Sequence, residues 1–228
     1  MTALRPPELF PRPEVAALML AADRVILADT LPFSRQAAHN RARVRASGGA
    51  QWLSVPRVHL GRPTPLAALP VAAGDWARKA RHALRSAYGM APYADHVLPE
   101  VDAILSRAWP SVGALAVETC RWTHRWLGAP SALVVASELP GAPASPEAIW
   151  EAAGTAPLLA LEESAARDRQ RLGATTRVLH LDLAPYRQAF SGWVPGCSSL
   201  DLVLNHGPRA ADLLREATSV RPLAFREV

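Results

Sequence analysis

In Arg24-Val25-Ile26-Leu27-Ala28-Asp29, a run of apolar side chains stands between an arginine and an aspartate. A continuous apolar run, too short for a helix and rich in branched residues, suits a strand buried on both faces, as in a parallel sheet. The run therefore predicts a strand that ends at Asp29. A carboxylate just past the C-terminal end of a parallel strand lies at the edge where α/β proteins bind ligands. The same position is also a common loop or helix-cap site, and both readings stay open.

Working outward, the Pro-rich residues 5–13 read as an extended opening segment and residues 14–22 as a short helix. Further apolar runs predict strands over 52–58, 131–136 and 177–183. Helices are predicted over 75–89, 98–108, 111–127, 162–172 and 208–218, with another starting at Ser145-Pro146. Helices alternating with short apolar strands predict an α/β fold, a mainly parallel sheet flanked by helices. No repeat or linker divides residues 1–228, so one domain is expected, with 98–127 as a candidate small helical subdomain.

Half of the 228 residues are apolar, enough for a sizeable core. No apolar run reaches the length of a membrane span, and a cytoplasmic location is expected. Cys120 and Cys197 stand in no metal or redox spacing and read as buried thiols. A net charge of +5 and a pI near 10.0 invite a nucleic-acid partner. The basic residues are dispersed among twenty acids, with no basic tail and no helix-turn-helix pattern, which argues against it. A few arginines around one pocket serve an anionic small molecule equally well. The sequence is silent on oligomeric state.

Three groups of residues carry candidate chemistry. The first contains the only lysine in the chain, Lys79, against twenty-four arginines. On a helix over 75–89, Lys79, His82 and Ser86 share an arc between the apolar stripe and the arginine face. Half-burial there would lower the pKa of Lys and His toward neutrality, suiting proton transfer or anion binding. An ordinary amphipathic helix with solvated border residues is the plain alternative. The second group is Asn40, Arg41, Arg43 and Arg45. If that stretch is extended, the three arginines point to one face, fit to grip a phosphate or to guard a strand edge. The third lies in 192–208, where Pro195-Gly196 predicts a turn and Ser198 or Ser199 a helix cap. On the helix that follows, Asp201 and Asn205 share a face. They can bind ligand hydroxyls with Ser198, or tie neighbouring turns together.

The ordered set of residues 25–44 with Gln51-Trp52, Trp76 and Lys79 through Tyr93, and Pro185 through Pro208 resembles the WbqC-like family of bacterial proteins. The resemblance implies an α/β fold. It implies a link to surface-polysaccharide and O-antigen synthesis, with sugars or sugar nucleotides as substrates. It also favours a functional role for Asn40, Arg41 and Arg43. Two elements depart from the family pattern. A His/Gln-Pro-x-Tyr-x-Pro motif is replaced by Arg5-Pro6-Pro7-Glu8-Leu9-Phe10-Pro11, and a Gly-rich turn by the glycine-free 160–170. If those elements bind substrate, the substrate here differs or the reaction has been lost.

There is no P-loop, Rossmann fingerprint, G-x-S-x-G elbow or H-E-x-x-H helix, and the seven histidines are scattered. No metal and no particular cofactor is indicated. The leading expectation is a transferase acting on an activated or amino sugar, by acyl or aminoacyl transfer, with a sugar phosphate or sugar nucleotide as the anionic partner. Arg41 and Arg43 would bind phosphate, with Asn40, Ser86, Tyr93, Ser198 and Asn205 also contacting substrate. Lys79 or His82 would stabilise charge or move a proton, and Asp29 or Asp201 would serve as base or hydroxyl anchor. A nucleotidyl- or adenylyl-transfer enzyme is the first alternative, and a non-catalytic ligand- or partner-binding member the second.

Overall fold

The apolar run at Arg24 forms a strand in the middle of a six-stranded sheet. The computed structural model describes residues 1–154 and 156–223. The sheet strands are β1 (Thr2–Arg5), β2 (Arg24–Leu27), β5 (Ala132–Val135), β6 (Leu158–Leu161), β7 (Thr176–Leu181) and β8 (Thr218–Pro222). Their order is β5-β2-β1-β6-β7-β8, and every pairing is parallel except that of β7 with β8. A separate antiparallel hairpin joins β3 (Arg41–Ala46) to β4 (Gly49–Ser54). The expected α/β fold with a mainly parallel sheet is what the chain adopts.

The helices are α1 (Pro13–Ala21), α2 (Trp76–Tyr88), α3 (Ala94–Ser106), α4 (Val112–Trp126), α5 (Pro146–Ala152), α6 (Ala165–Leu172), α7 (Ser199–His206) and α8 (Arg209–Ala217). Side chains alternate across the sheet, as strand geometry requires. Val25, Leu27, Leu159, Leu161 and Leu179 meet α1 and α4 on one face. Ile26, Leu158, Ala160 and Val178 meet Ile149 and Trp150 of α5 and Ala165 of α6 on the other. A larger apolar cluster joins α2, α3, α7, α8 and the hairpin. Of the 98–127 segment, α4 shares the sheet-facing layer through Val117 and Cys120, whereas α3 belongs to the larger cluster. Both cysteines are free and buried.

Several boundaries differ from the sequence expectation. The predicted strand over 52–58 is shifted, because residues 49–54 pair with 41–46 across a two-residue turn at Ser47-Gly48. That turn makes 41–46 a strand, the extended form on which the shared face of its arginines depends. Three further strands, β1, β6 and β8, also lie outside the strands expected from sequence. Gly113 starts α4 against a short 3-10 helix (Leu66–Ala68), and a Cβ there would lie 2.6 Å from the Leu66 carbonyl carbon. Because backbone cannot step aside like a side chain, Gly113→Ala should destabilise by about 1–3 kcal/mol in thermal denaturation. An unchanged melting temperature would contradict this packing.

Among the described residues no helix is long and apolar enough to cross a membrane. Nor is there among them a group of three or more His, Cys, Asp or Glu side chains able to hold a metal ion.

Candidate functional site

β1 connects onward to β2 on one side, while its other neighbour, β6, connects to β7 in the opposite direction. Adjacent strands whose connections diverge leave a crevice at their carboxyl ends, where open α/β sheets bind ligands. The two elements that depart from the family pattern meet there. Arg5, ending β1, places Nη1 3.2 Å from Ser164 Oγ and Nη2 3.5 Å from Glu163 Oε1. Arg12 continues the network, with Nη2 3.1 Å from Glu163 and 3.2 Å from Glu8. Hydrogen bonding from Arg12 holds the Glu163 carboxyl below the usual carboxylate range. Glu8 is buried, and its carbonyl accepts from Thr119 Oγ1.

Between these elements Phe10 has a φ of 43°, a left-handed conformation that is unusual for a bulky residue. It is held by its N–H on Thr119 Oγ1 at 3.0 Å and by edge-on packing against Trp122. Backbone strain that the surroundings enforce clusters at functional sites. His39 is buried beside the same turn, its Nδ1 3.0 Å from the Pro7 carbonyl, and burial lowers its pKa.

From Arg12 the network opens onto a hollow of about 40 Å³ lined by Phe10, Arg12, Arg41, Arg43, Trp52 and Ser198 among others. Three residues named from sequence as substrate contacts, Arg41, Arg43 and Ser198, are brought together here. Period-2 alternation buries Ala42 and Val44 and turns Arg41 and Arg43 outward, flanking the ring of Trp52 at 4.5 and 5.9 Å. The Trp52 side is open, with 48 % of that residue exposed. Among the described residues the Arg43 guanidinium makes no hydrogen bond, and neither Arg41 Nε nor the buried Ser198 Oγ has a partner. Ser198 precedes α7 but does not cap it with its side chain, which leaves the hydroxyl free. Arg12, Arg41 and Arg43 line the hollow with no carboxylate among its lining residues, and Arg12 alone of the three pairs with described acids, Glu8 and Glu163.

The third arginine of that face behaves differently from expectation. Arg45 is buried, with Nη2 2.7 Å from the Ser191 carbonyl and its guanidinium over the Phe190 ring. It holds the 186–192 segment to the hairpin and is unavailable to a ligand. Asn40 likewise donates to the Val55 carbonyl at 2.7 Å and closes the hairpin.

Asp201 is fully buried. Its Oδ1 accepts from Tyr88 OH at 2.8 Å, and its Oδ2 from Tyr186 OH at 2.7 Å and Gln188 Nε2 at 2.9 Å. Burial raises its pKa against the opposing pull of those hydrogen bonds. Burial and the Asp201 charge raise the Tyr88 and Tyr186 phenols in turn. Tyr88 OH also accepts the Arg45 N–H at 2.6 Å, and Gln188 pairs twice with the Val194 backbone. Asn205 donates to the Asp201 carbonyl at 2.7 Å. Tyr93 packs its ring against Gly207, and its N–H bonds the Leu204 carbonyl. Asp201, Asn205 and Tyr93 thus tie α2, α3, the hairpin and α7 together.

The remaining sequence candidates lie elsewhere. Lys79, His82 and Ser86 are exposed on α2, because the helix buries only Ala80, Leu84 and Tyr88. This corrects the expected half-burial on which their proton chemistry rested. Asp75 pairs with Arg78 instead of capping the helix, and Gly89 keeps right-handed backbone. Asp29 does lie at the end of β2, but both its oxygens accept from Ser137, the backbone N–H at 2.9 Å and Oγ at 2.6 Å. It shares no hydrogen-bond partner with Asp201 or Lys79. Arg5, Glu8, Arg12 and Glu163 were not singled out from sequence. Their contacts span up to 159 positions, which no local spacing reveals.

Compared with known proteins, the chain matches the WbqC-like protein family over residues 6–213. No curated protein and no solved structure matches it.

Proposed function

We propose, given that this chain belongs to the WbqC-like protein family, that its arginine hollow binds the phosphate of a sugar phosphate or sugar nucleotide, with Trp52 as a platform. The observation that carries this reading is the Arg43 guanidinium, which among the described residues has no hydrogen-bond partner, beside a buried Ser198 hydroxyl likewise unpartnered among them and an exposed indole. Guanidinium forks match phosphate oxygens two at a time. A volume of about 40 Å³ suits a single small anionic group, leaving the rest of the ligand over Trp52. An aromatic face favours the apolar face of a sugar or a base.

Group transfer to or from such a sugar, in surface-polysaccharide synthesis, is the activity this binding mode favours. The alternative of binding without turnover has its own support. Glu8 and Glu163, the carboxylates that reach the hollow's Arg12, are both committed to it. They also belong to the two elements that depart from the family pattern.

A thermal-shift screen with sugar nucleotides, acyl-CoAs and nucleoside triphosphates, with and without magnesium, tests the reading. At 100-fold excess over its dissociation constant a ligand adds about 2.7 kcal/mol, or roughly 5–10 °C for a chain of this size. The expected result is such a shift with a sugar nucleotide, lost in Arg43→Gln and kept in Lys79→Ala. A shift that survives Arg43→Gln contradicts the reading, and one seen only with a nucleoside triphosphate and magnesium favours nucleotidyl transfer instead. Binding without product formation when acyl donors are supplied favours the non-catalytic alternative.

A further inference from the structure

A second cleft, unrelated to the arginine hollow, lies where the chain leaves β2 and β4. It has a volume of about 420 Å³ and is lined by Phe33, Arg35, Arg57, His59, Leu60 and Arg62 among others. Volumes of a few hundred Å³ are those of small-molecule sites. Its walls are fixed by backbone. Pro32 bridges Pro65 and Arg57 bridges Val71, the Phe33 N–H bonds the Thr64 carbonyl at 2.9 Å, and the Val58 N–H bonds the Pro70 carbonyl at 3.0 Å.

Charge in this cleft is one-sided. No carboxylate lines it, and none of Arg35, Arg57 and Arg62 forms an ion pair with a described acid. Arg35 instead directs Nη2 toward His59 Nε2 at 3.5 Å. Arg57 lies over the Phe33 ring, 4.5 Å from its centroid, and bonds only the Val58 carbonyl. Elsewhere arginines with comparable freedom find acids, as Arg78 does with Asp75 and Arg171 with Glu147. Three guanidiniums around one cleft without a counter-charge repel one another. A bound anion relieves that repulsion. Leu60, 41 % exposed, offers an apolar wall beside them.

We propose that this cleft binds an organic phosphate, a mono- or diphosphate with an apolar or sugar portion, independently of the arginine hollow. Guanidinium pairs hold phosphate oxygens bidentately.

Isothermal titration with inorganic pyrophosphate tests this on the wild type, on Arg35→Gln/Arg62→Gln and on Arg43→Gln. Arg35 and Arg62 are exposed, so the double variant should fold. The wild type should bind pyrophosphate at a site whose affinity falls about tenfold or more in the double variant and is unchanged in Arg43→Gln. Equal affinity and stoichiometry in the wild type and the double variant would overturn the proposal. So would complete loss of pyrophosphate binding in Arg43→Gln alone, which would place all phosphate binding in the hollow. Displacement of the pyrophosphate by a short DNA duplex at lower concentration would likewise overturn it, in favour of a nucleic-acid surface. Because each cleft has its own variant, failure here leaves the test of the sugar-nucleotide reading intact.

Discussion

Asp201→Ala should cost about 3–5 kcal/mol of stability, because it orphans several buried donors at once. Tyr88 OH, Tyr186 OH and Gln188 Nε2 all point at this carboxylate, and none has another carboxylate in reach. An unsatisfied buried donor costs about 1–3 kcal/mol, reduced where water enters the vacated volume. For a chain of this length the melting temperature should fall by roughly 10 °C. Tyr186→Phe removes one donor only and should cost about 1 kcal/mol. A loss below ~1 kcal/mol in Asp201→Ala would mean the network contributes little. The pH dependence has a definite sign. Burial raises the Asp201 pKa above the ordinary value of an aspartate. The folded state therefore holds this proton more tightly than the unfolded chain. Relative to Asp201→Asn, wild-type stability is greatest below the unfolded value and declines as pH rises through the raised folded one.

Gly207→Ala should destabilise by about 2–5 kcal/mol, from two separable causes. The residue has φ 55° and ψ −131°, a conformation essentially restricted to glycine. A Cβ there would also stand 2.3 Å from Cε1 of Tyr93, inside any permissible contact. In a Tyr93→Ala background the steric part should vanish and the backbone part remain, so the glycine substitution should cost about 1–3 kcal/mol there. Urea unfolding of the four proteins separates the two. Equal costs in both backgrounds would show that the ring is not the obstacle.

The parts of the fold legible in the sequence were those with a local pattern. β2 declared itself as an apolar run between charges, and α5 through Pro146 after the Ser145 cap, which accepts from the Ala148 N–H. β6 did not, because Leu-Leu-Ala-Leu, buried on both faces, carries no period and Leu and Ala favour helix. β1 is only four residues long and buries consecutive residues, and β8 is a largely exposed edge whose only apolar residue before Pro222 is Val220, so neither carries a clear hydrophobic alternation in its sequence. The hairpin is not foreseen because Ser47-Gly48 is a general turn signal and not one of the dipeptides that specify a two-residue hairpin connection.

In the site, period-2 geometry foretold that Arg41 and Arg43 share a face, and the structure adds Ser198 and Trp52 to them. What one strand's pattern could not show is that Arg45 would be drawn inward by the Ser191 carbonyl, or that Asp29 would be occupied by Ser137. Lys79 illustrates the reverse error. Its rarity is compositional, and its helix face is set by Ala80, Leu84 and Tyr88, which leave it in solvent. The Arg5-Glu163-Arg12-Glu8 network depends on β1 and β6 lying side by side, which is a property of topology.

The most direct test of the arginine hollow is a crystal structure of the wild-type protein with the sugar nucleotide that gives the largest thermal shift. The account requires a phosphate oxygen within hydrogen-bond distance of Arg43 and Ser198 Oγ, with the sugar or base against Trp52. A ligand ordered elsewhere with Arg43 and Ser198 untouched, for instance along the exposed Lys79-His82 face of α2, would contradict it.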